Sequence, residues 1–157
     1  MAEPLEVLVF EVGGQRYGVP AAAVLEIVRA VAVVPLPGAP AVIEGIINFR
    51  GSVVPVLDVR RRLRLPGRPL EHTDHFIVAR AGPRRVALRV DRAVALARLE
   101  AAAVEEAKGA VPGVEYVAWV AKLPDDLVLV HDLETFLSRA EGEVLDAALA
   151  PAQGGTP

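Results

Sequence analysis

The chain of 157 residues contains no cysteine, and only 4% of its residues are aromatic. The absence of cysteine excludes disulfide frameworks, cysteine-ligated zinc, iron–sulfur clusters and thiol nucleophiles. Long apolar runs are missing too: Arg29, the prolines from Pro35 onward and Glu44 interrupt the most apolar region, so no stretch reaches the roughly 18 residues of a membrane span. Glu3 and Glu6 do not suit a signal peptide. We therefore expect a folded cytoplasmic protein without direct membrane insertion.

The charge is small in sum but unevenly placed. The net charge of −3 divides into −3 over residues 1–49, +7 over residues 50–92 and −7 over residues 93–157. This asymmetry favours head-to-tail contact with charged partners over a nucleic-acid track. An arginine-rich composition with solvated charges explains the same counts.

Hydrophobic alternation and turn residues predict a mainly β chain. We expect strands at 5–12, 16–19, 43–49, 53–59, 75–80, 85–90, 115–122 and 127–131. Pro20 followed by Ala21–Val28 predicts a two-turn helix, since proline suits a first helical position and the segment is rich in helix formers. Residues 93–107 fit a helix better than a strand, although a strand continuing to Leu99 is the alternative. Further helices are expected within 132–137 and 143–149, followed by a disordered tail at 151–157.

An internal repeat is the most informative pattern. Residues 45–63 align with residues 119–137 without gaps, and both copies predict strand, turn, strand, aspartate cap and helical turn. A weaker match sets 14–19 against 83–88. The chain thus resembles two related β units that pack against each other, because each is too small to bury much core alone.

No catalytic motif stands out. His72 and His75 flank Asp74 and suggest a metal-dependent hydrolase, but no cysteine or third nearby histidine completes a site. The run Arg60–Arg62, with Arg64 and Arg68, is the best candidate for a nucleic-acid-binding β-barrel, although aromatic residues for stacking are few. Metal-dependent turnover would favour the hydrolase, and steep salt dependence of DNA binding would favour the nucleic-acid-binding β-barrel. By elimination, the residues indicate an interaction module with no metal and no cofactor.

Several strings together resemble the CheW family of chemotaxis coupling proteins over about residues 5–149. The most specific is Asn-Phe-Arg-Gly at residues 48–51 followed by Val-Val-Pro-Val-Leu-Asp at residues 53–58. Supporting matches lie at residues 8–12, 17–20, 24–27, 40–45, 90–94, 120–122 and 127–137.

The resemblance implies a mainly β fold: two packed SH3-like five-stranded β-barrel subdomains with short helices. Residues 1–150 would form a single CheW-like domain, with the first barrel at about 13–80 and the second at 5–12 plus 81–150. It implies a non-catalytic adaptor at cytoplasmic receptor arrays, which links the cytoplasmic tip of methyl-accepting chemoreceptors to the regulatory domain of a CheA-type histidine kinase.

The resemblance also transfers site residues. The receptor-binding set is Val24, Glu26, Ile27 and Arg50, and the kinase-binding set is Val34 and Val42. For the pair Glu26 and Arg50 we hypothesise that the arginine fork, held by the carboxylate, fixes the short helix and shapes the receptor groove.

One segment departs from the family pattern. The ring contact would involve Val104, Glu105 and Pro112, but Glu105 replaces a basic residue common there and the proline-rich stretch is altered. The departure counts against ring closure and motivates an alternative, a divergent accessory protein that binds receptors without recruiting the kinase. Trp119 also lies where the family generally has glycine. We expect its indole to be buried rather than exposed for a contact specific to this protein.

Overall fold

The computed structural model describes residues 4–106, 117–123 and 126–153. Its strands are β1 (Leu5–Val12), β2 (Gln15–Pro20), β3 (Val24–Arg29), β4 (Ile43–Phe49), β5 (Ser52–Asp58), β6 (His75–Ala81), β7 (Arg84–Val90), β8 (Arg92–Leu99), β9 (Val104–Glu106), β10 (Val117–Leu123) and β11 (Asp126–His131). The helices are α1 (Val59–Arg62) and α2 (Arg139–Gln153), with single 3-10 turns at Ala21–Ala23, Ala101–Ala103 and Leu133–Thr135. Within these ranges, no helix combines the length and apolar content needed to cross a membrane.

The strands form two sheets. The six-stranded sheet has the order β8-β1-β2-β11-β10-β9, and the five-stranded sheet has the order β3-β6-β7-β5-β4. The expected mainly β fold of two subdomains is confirmed, with one strand more than expected in the first sheet. In the described residues, the two outer strands of each sheet do not pair with each other. The sheets are therefore not closed into the barrels that the sequence predicted.

The internal repeat is visible in the structure. Asp58 accepts a hydrogen bond from the N–H of Arg61 at the start of α1, and Asp132 accepts one from the N–H of Glu134 in the equivalent turn. The two sheets share one strand order, with β8-β1-β2-β11-β10 in one corresponding to β3-β6-β7-β5-β4 in the other. Each repeat therefore places its first hairpin in the sheet built mainly by the other repeat.

This exchange corrects the expected barrel boundaries near residues 13 and 81. The turn Gly13-Gly14 has φ values of 60° and 82°, which suits a tight hairpin and keeps β1 paired with β2. The β6–β7 hairpin likewise stays together in the five-stranded sheet. A boundary between β1 and β2, or between β6 and β7, would break these local pairings.

The helix expected over Ala21–Val28 is wrong. One 3-10 turn at Ala21–Ala23 leads directly into β3, which pairs antiparallel with β6. The β-branched Val24, Ile27 and Val28 favour a pleated, half-buried surface. Pairing with β6 therefore outweighs the helix propensity of the neighbouring alanines.

Two other segments differ from the first expectation. Residues 92–99 form β8, so the strand alternative holds there and helical structure is limited to one 3-10 turn. Helix α2 starts earlier and ends later than expected, and it includes residues 151–153, which were predicted to be disordered. The rest of the predicted tail, 154–157, lies outside the described residues.

The apolar core has three parts. A large shared core joins both sheets and α2, with Phe10 and Val19 from one sheet, Leu57 and Leu88 from the other, and Leu145 from the helix. Two smaller clusters lie within the six-stranded and the five-stranded sheet respectively. Trp119 is half-buried against the first of these smaller clusters. The shared core makes the two subdomains one packed unit.

Candidate functional site

The β4–β5 hairpin ends in the two-residue turn Arg50-Gly51. Both residues have positive φ, 52° and 81°, as in a type I′ turn, whose twist matches that of the flanking strands. The N–H of Gly51 donates a hydrogen bond of 2.8 Å to Oδ1 of Asn48. This turn presents Arg50 at the tip of the hairpin, where 72% of its side chain is exposed.

Arg50 pairs with Glu26 on β3, its Nη2 donating to Oε1 of the carboxylate. The Arg50 Cζ also lies 5.4 Å from the ring centroid of Phe49, within the range of a cation–π contact. Because β3 and β4 are the outer strands of the five-stranded sheet, the ion pair crosses the open side of that sheet. The expected pairing is therefore present, on a strand rather than a helix.

The chain after β3 crosses the same open side. The N–H of Val34 donates to the carbonyl oxygen of Ile46 over 2.9 Å, and the N–H of Ile46 donates back over 2.8 Å. Gly45 permits this approach, since a Cβ at that position would lie 2.2 Å from the Val34 carbonyl oxygen. The segment is thus fixed at both ends, by β3 and by the bridge to β4.

Strand β3 and the fixed segment after it expose large apolar side chains, which we name the edge patch: Leu25 and Ile27 on β3 (each 41% exposed), and Val31 (50%) and Val34 (59%) on the segment. Apolar side chains exposed beside a charged pair are typical of a protein contact surface rather than of a solvated loop. The edge patch and the Glu26–Arg50 pair together form the candidate site.

The predicted site residues fall in different environments. Glu26, Ile27, Arg50 and Val34 lie at the site, and Val24 is half-buried against the shared core. By contrast, Val42 is only 4% exposed and belongs to the shared core, so its side chain offers a partner almost no surface.

Sequence reasoning missed Leu25 and Val31. Burial alternates along β3, with residues 25, 27 and 29 exposed and the residues between them half-buried. The helical interpretation grouped Val24, Ile27 and Val28 instead and left Leu25 out. Recognising the strand period would have identified Leu25, whereas no pattern in the sequence marks Val31.

The predicted ring segment is only partly described. Val104 and Glu105 lie on β9, the outer strand of the six-stranded sheet, where Val104 packs against the apolar cluster of that sheet. Pro112 lies outside the described residues. The ring contact stays a prediction.

The arginine run is largely used inside the protein. Arg60 lies 2.7 Å from a carboxylate oxygen of Asp91, and Arg62 lies 2.6 Å from one of Glu141. Arg68 binds Asp91 at 2.9 Å as well as a buried aspartate discussed next. These pairs neutralise much of the charge that suggested nucleic-acid binding.

The buried aspartate is Asp74, whose side chain is fully inaccessible. Arg68 binds its carboxylate with two hydrogen bonds of 2.6 and 3.1 Å, the N–H of Glu71 donates a third of 3.0 Å, and Arg89 lies 3.5 Å away. Burial alone would raise the pKa of Asp74, but these hydrogen bonds and the two positive charges together lower it. Arg89 also pairs with Glu44, whose pKa is raised by burial despite that partner.

His75 and His131 have structural environments. Nδ1 of His75 accepts a hydrogen bond of 3.1 Å from the N–H of Ala93, which joins β6 to β8. His131 is buried between Tyr17 and Phe136, with ring centroids 5.3 and 4.9 Å away. In the part of the chain that the structure describes, no three histidine or acidic side chains are grouped to hold a metal ion.

Comparisons with known proteins find a matching family model, related sequences and a similar solved structure. The family model for the CheW-like domain matches residues 6–141. The chemotaxis protein CheW of Treponema pallidum (strain Nichols) is 26% identical over 145 residues, covering 88% of this chain and 85% of that protein. The CheW of Klebsiella aerogenes is 28% identical over 143 residues, covering 90% and 86%. The crystal structure of the scaffolding protein TtCheW from Thermoanaerobacter tengcongensis shares the fold, with a TM-score of 0.81 at 24% identity over 88% of this chain and 95% of that one.

Proposed function

Since this chain belongs to the CheW-like domain family, we propose that it is a non-catalytic scaffold of a chemosensory array, linking chemoreceptor tips to the regulatory domain of a CheA-type histidine kinase. The chemotaxis proteins it resembles support the setting. Its place would be the cytoplasmic face of receptor arrays, and it would use no cofactor.

The observation that carries this proposal is the fixed apolar segment beside the Glu26–Arg50 pair. A scaffold needs a preformed surface, because ordering a loop upon binding costs affinity. The edge patch meets this requirement, since β3 holds one end of the segment and the Val34–Ile46 bridge holds the other.

We assign the receptor contact to Glu26, Ile27 and Arg50, with Leu25 added from its exposure. Val24 would support the contact from beneath rather than touch the receptor, because it packs against the shared core. For the kinase we retain Val34, which is 59% exposed. Val42 would act through the core packing under this surface.

Calorimetric titration of a receptor-tip fragment tests the receptor assignment. We expect Glu26→Ala and Arg50→Ala each to weaken binding about tenfold, and the double variant to lose little more than either single variant, because the two side chains act as a unit. The reversed pair Glu26→Arg with Arg50→Glu should recover part of the affinity. Additive losses with no recovery would refute a role for the pair.

The matched control is Arg16→Ala on the other sheet. The Arg16 side chain is 40% exposed and lies 3.6 Å from Glu11 and 3.7 Å from Asp126. This variant should leave receptor binding unchanged. A separate titration with the kinase regulatory domain tests the alternative function. If the chain binds the receptor but not the kinase, it is an accessory protein, which is the possibility suggested by the altered sequence at residues 104–112.

A further inference from the structure

The two hairpins of the five-stranded sheet turn at the same end of that sheet. The β4–β5 turn lies at residues 50–51 and the β6–β7 turn at residues 82–83. Because β5 pairs with β7 in parallel, both strands begin at one end. Strand β3 begins there too, since it runs antiparallel to β6. Side chains at this end of the sheet can therefore contact one partner together.

Arg80 and Arg85 lie at this end and are directly opposite each other across the β6–β7 ladder. Both share the face of Val78, which belongs to the apolar cluster of the five-stranded sheet, because side chains alternate along a strand. Arg84 lies on the other face, where its guanidinium pairs with Asp146 of α2. Arg80 and Arg85 are exposed, and within the described residues neither forms an ion pair or a side-chain hydrogen bond.

The Glu26–Arg50 pair lies beside these two arginines. Glu26 on β3 is directly opposite Val78 on β6, so Arg80, two residues further along β6, is its diagonal neighbour. Diagonal neighbours on one face are about 7–8 Å apart, within reach of long side chains. Arg50 reaches Glu26 from the β4–β5 turn. We name this set of one carboxylate and three guanidinium groups the basic end: Glu26, Arg50, Arg80 and Arg85.

The other repeat shows that the fold does not require two arginines here. Extending the weaker sequence match of the repeat aligns Arg80 with Glu11 and Arg85 with Arg16. Those two residues are also directly opposite each other, on β1 and β2. There they form an ion pair, with Nε of Arg16 3.6 Å from Glu11 and 3.7 Å from Asp126. The same place in the fold thus holds a neutralised pair in one sheet and two like charges in the other.

This difference between the repeats points to a role in binding. Like charges directly opposite on a sheet destabilise the strand pairing, so the two arginines are unfavourable in the isolated chain. They become favourable when a partner places carboxylates on them, because a guanidinium donates two parallel hydrogen bonds to a carboxylate. A nucleic acid would need a longer basic stripe than these few arginines.

We propose that Arg80 and Arg85 bind carboxylates of the chemoreceptor tip, beside the contact made by the Glu26–Arg50 pair. The inference rests on the proposed function, because it names the charge of the receptor surface that the chain recognises. Arg50 is already paired with Glu26, so Arg80 and Arg85 supply the positive charge that attracts the partner. The two arginines therefore select receptors with an acidic surface at this place.

Calorimetric titration of the full chain with a receptor-tip fragment, at several salt concentrations, tests the proposal. The double variant Arg80→Gln with Arg85→Gln should weaken binding by about tenfold or more and reduce its salt dependence. Arg80→Glu recreates the glutamate–arginine pair of the other repeat. It should weaken binding at least as much, yet unfold at no lower temperature than the parent chain, because it removes the like-charge pair.

Two controls locate the effect. The double variant Arg61→Gln with Arg64→Gln removes two exposed arginines that follow the opposite end of β5, and it should change affinity less than about twofold. On the receptor fragment, each surface carboxylate is replaced in turn by its amide. At least one replacement should weaken binding to the parent chain but not to the Arg80/Arg85 double variant, since the groups on both sides belong to one contact.

The outcomes separate this inference from the proposed function. No binding of the fragment to the parent chain would contradict both. Binding that Glu26→Ala and Arg50→Ala weaken, but that the Arg80/Arg85 double variant leaves unchanged, would overturn this inference and leave the proposed function intact. Equal losses in the Arg80/Arg85 and Arg61/Arg64 double variants would assign the effect to general charge attraction and would also overturn it. So would a loss confined to titration with the kinase regulatory domain.

Discussion

At the scale of single residues, Asp74 is a fully buried carboxylate held by arginines. Its side chain contacts Arg68 and Arg89. Removing the charge of Asp74 leaves the positive charges of these two arginines only partly compensated, because Asp91 still pairs with Arg68 and Glu44 still pairs with Arg89. We expect Asp74→Asn to lower the free energy of unfolding by about 3 kcal/mol, measured by urea denaturation at neutral pH.

The control for Asp74 is Asp146→Asn. Asp146 also pairs with an arginine but is 58% exposed, so its loss should cost less than about 1 kcal/mol. A similar cost for both variants would contradict the dependence on burial.

The contribution of Asp74 to the free energy of unfolding should depend on pH in a definite direction. Because the pKa of Asp74 is lowered in the folded protein, its contribution is fully present above about pH 5 and is lost as the pH falls toward the lowered pKa. The stability difference between the parent chain and Asp74→Asn should therefore shrink on acidification. The raised pKa of Glu44 acts in the opposite sense, but it contributes to both proteins. A difference that grows toward acid pH would contradict this assignment.

The Glu26–Arg50 pair has a different role. Arg50 is 72% exposed, and ion pairs of this exposure contribute about 0.2–1 kcal/mol to stability. The pair therefore presents two side chains in a defined geometry and adds little to the fold. This is why its test is binding rather than unfolding.

At the scale of elements, the crossing of the 30–34 segment over β4 depends on Gly45. A Cβ there would meet the carbonyl oxygen of Val34 at 2.2 Å and Cγ1 of Val33 at 2.8 Å. We expect Gly45→Ala to push this segment off β4, to break the Val34–Ile46 bridge and to cost about 1–3 kcal/mol of unfolding free energy. Chemical denaturation, together with hydrogen exchange at the Val34 and Ile46 amides, measures both effects.

Gly67→Ala is the control for this element, because nothing lies within 4 Å of a Cβ at that position. It should change stability by less than about 0.5 kcal/mol. Unchanged amide protection in Gly45→Ala would show that the segment is not held by this contact.

The same elements show how far the sequence predicts the structure. Period-two alternation and glycine turns predict most strands, and the aspartates before α1 and before Leu133–Thr135 predict the caps. The segment Ala21–Val28 was misread because three alanines favour a helix locally, whereas the pairing partner β6 lies far along the chain. Local propensity carries no information on pairing between distant strands. The helical interpretation therefore also failed to identify Leu25 as exposed.

At the scale of the whole molecule, the repeat predicts two similar units but not the exchange of their hairpins. Strand β2 pairs in parallel with β11, and β5 pairs in parallel with β7, so each sheet contains strands from both halves. Local pattern gives each strand but not its neighbour. For the same reason the charge run at Arg60–Arg62 was open to a nucleic-acid interpretation until its carboxylate partners were located.

The exchange predicts that neither half folds alone. Separate fragments of residues 1–70 and 71–157 would leave β2 without β11 and β5 without β7, and would divide the shared core. We expect each fragment to lack cooperative unfolding and dispersed amide signals in NMR spectra, and their mixture to recover both. As a control, a full chain cleaved after residue 70 once folded should stay associated. Cooperative unfolding of either isolated fragment would contradict the exchange.

The central claim is that this chain couples a receptor to a kinase, and co-sedimentation tests it most directly. Vesicles displaying receptor tips are mixed with a CheA-type kinase, with and without the chain. We predict that the kinase sediments with the vesicles only when the chain is present, and that Arg50→Ala reduces the sedimented kinase while Arg16→Ala does not. Sedimentation of the chain without recruitment of the added kinase, or no sedimentation of either protein, would contradict the claim.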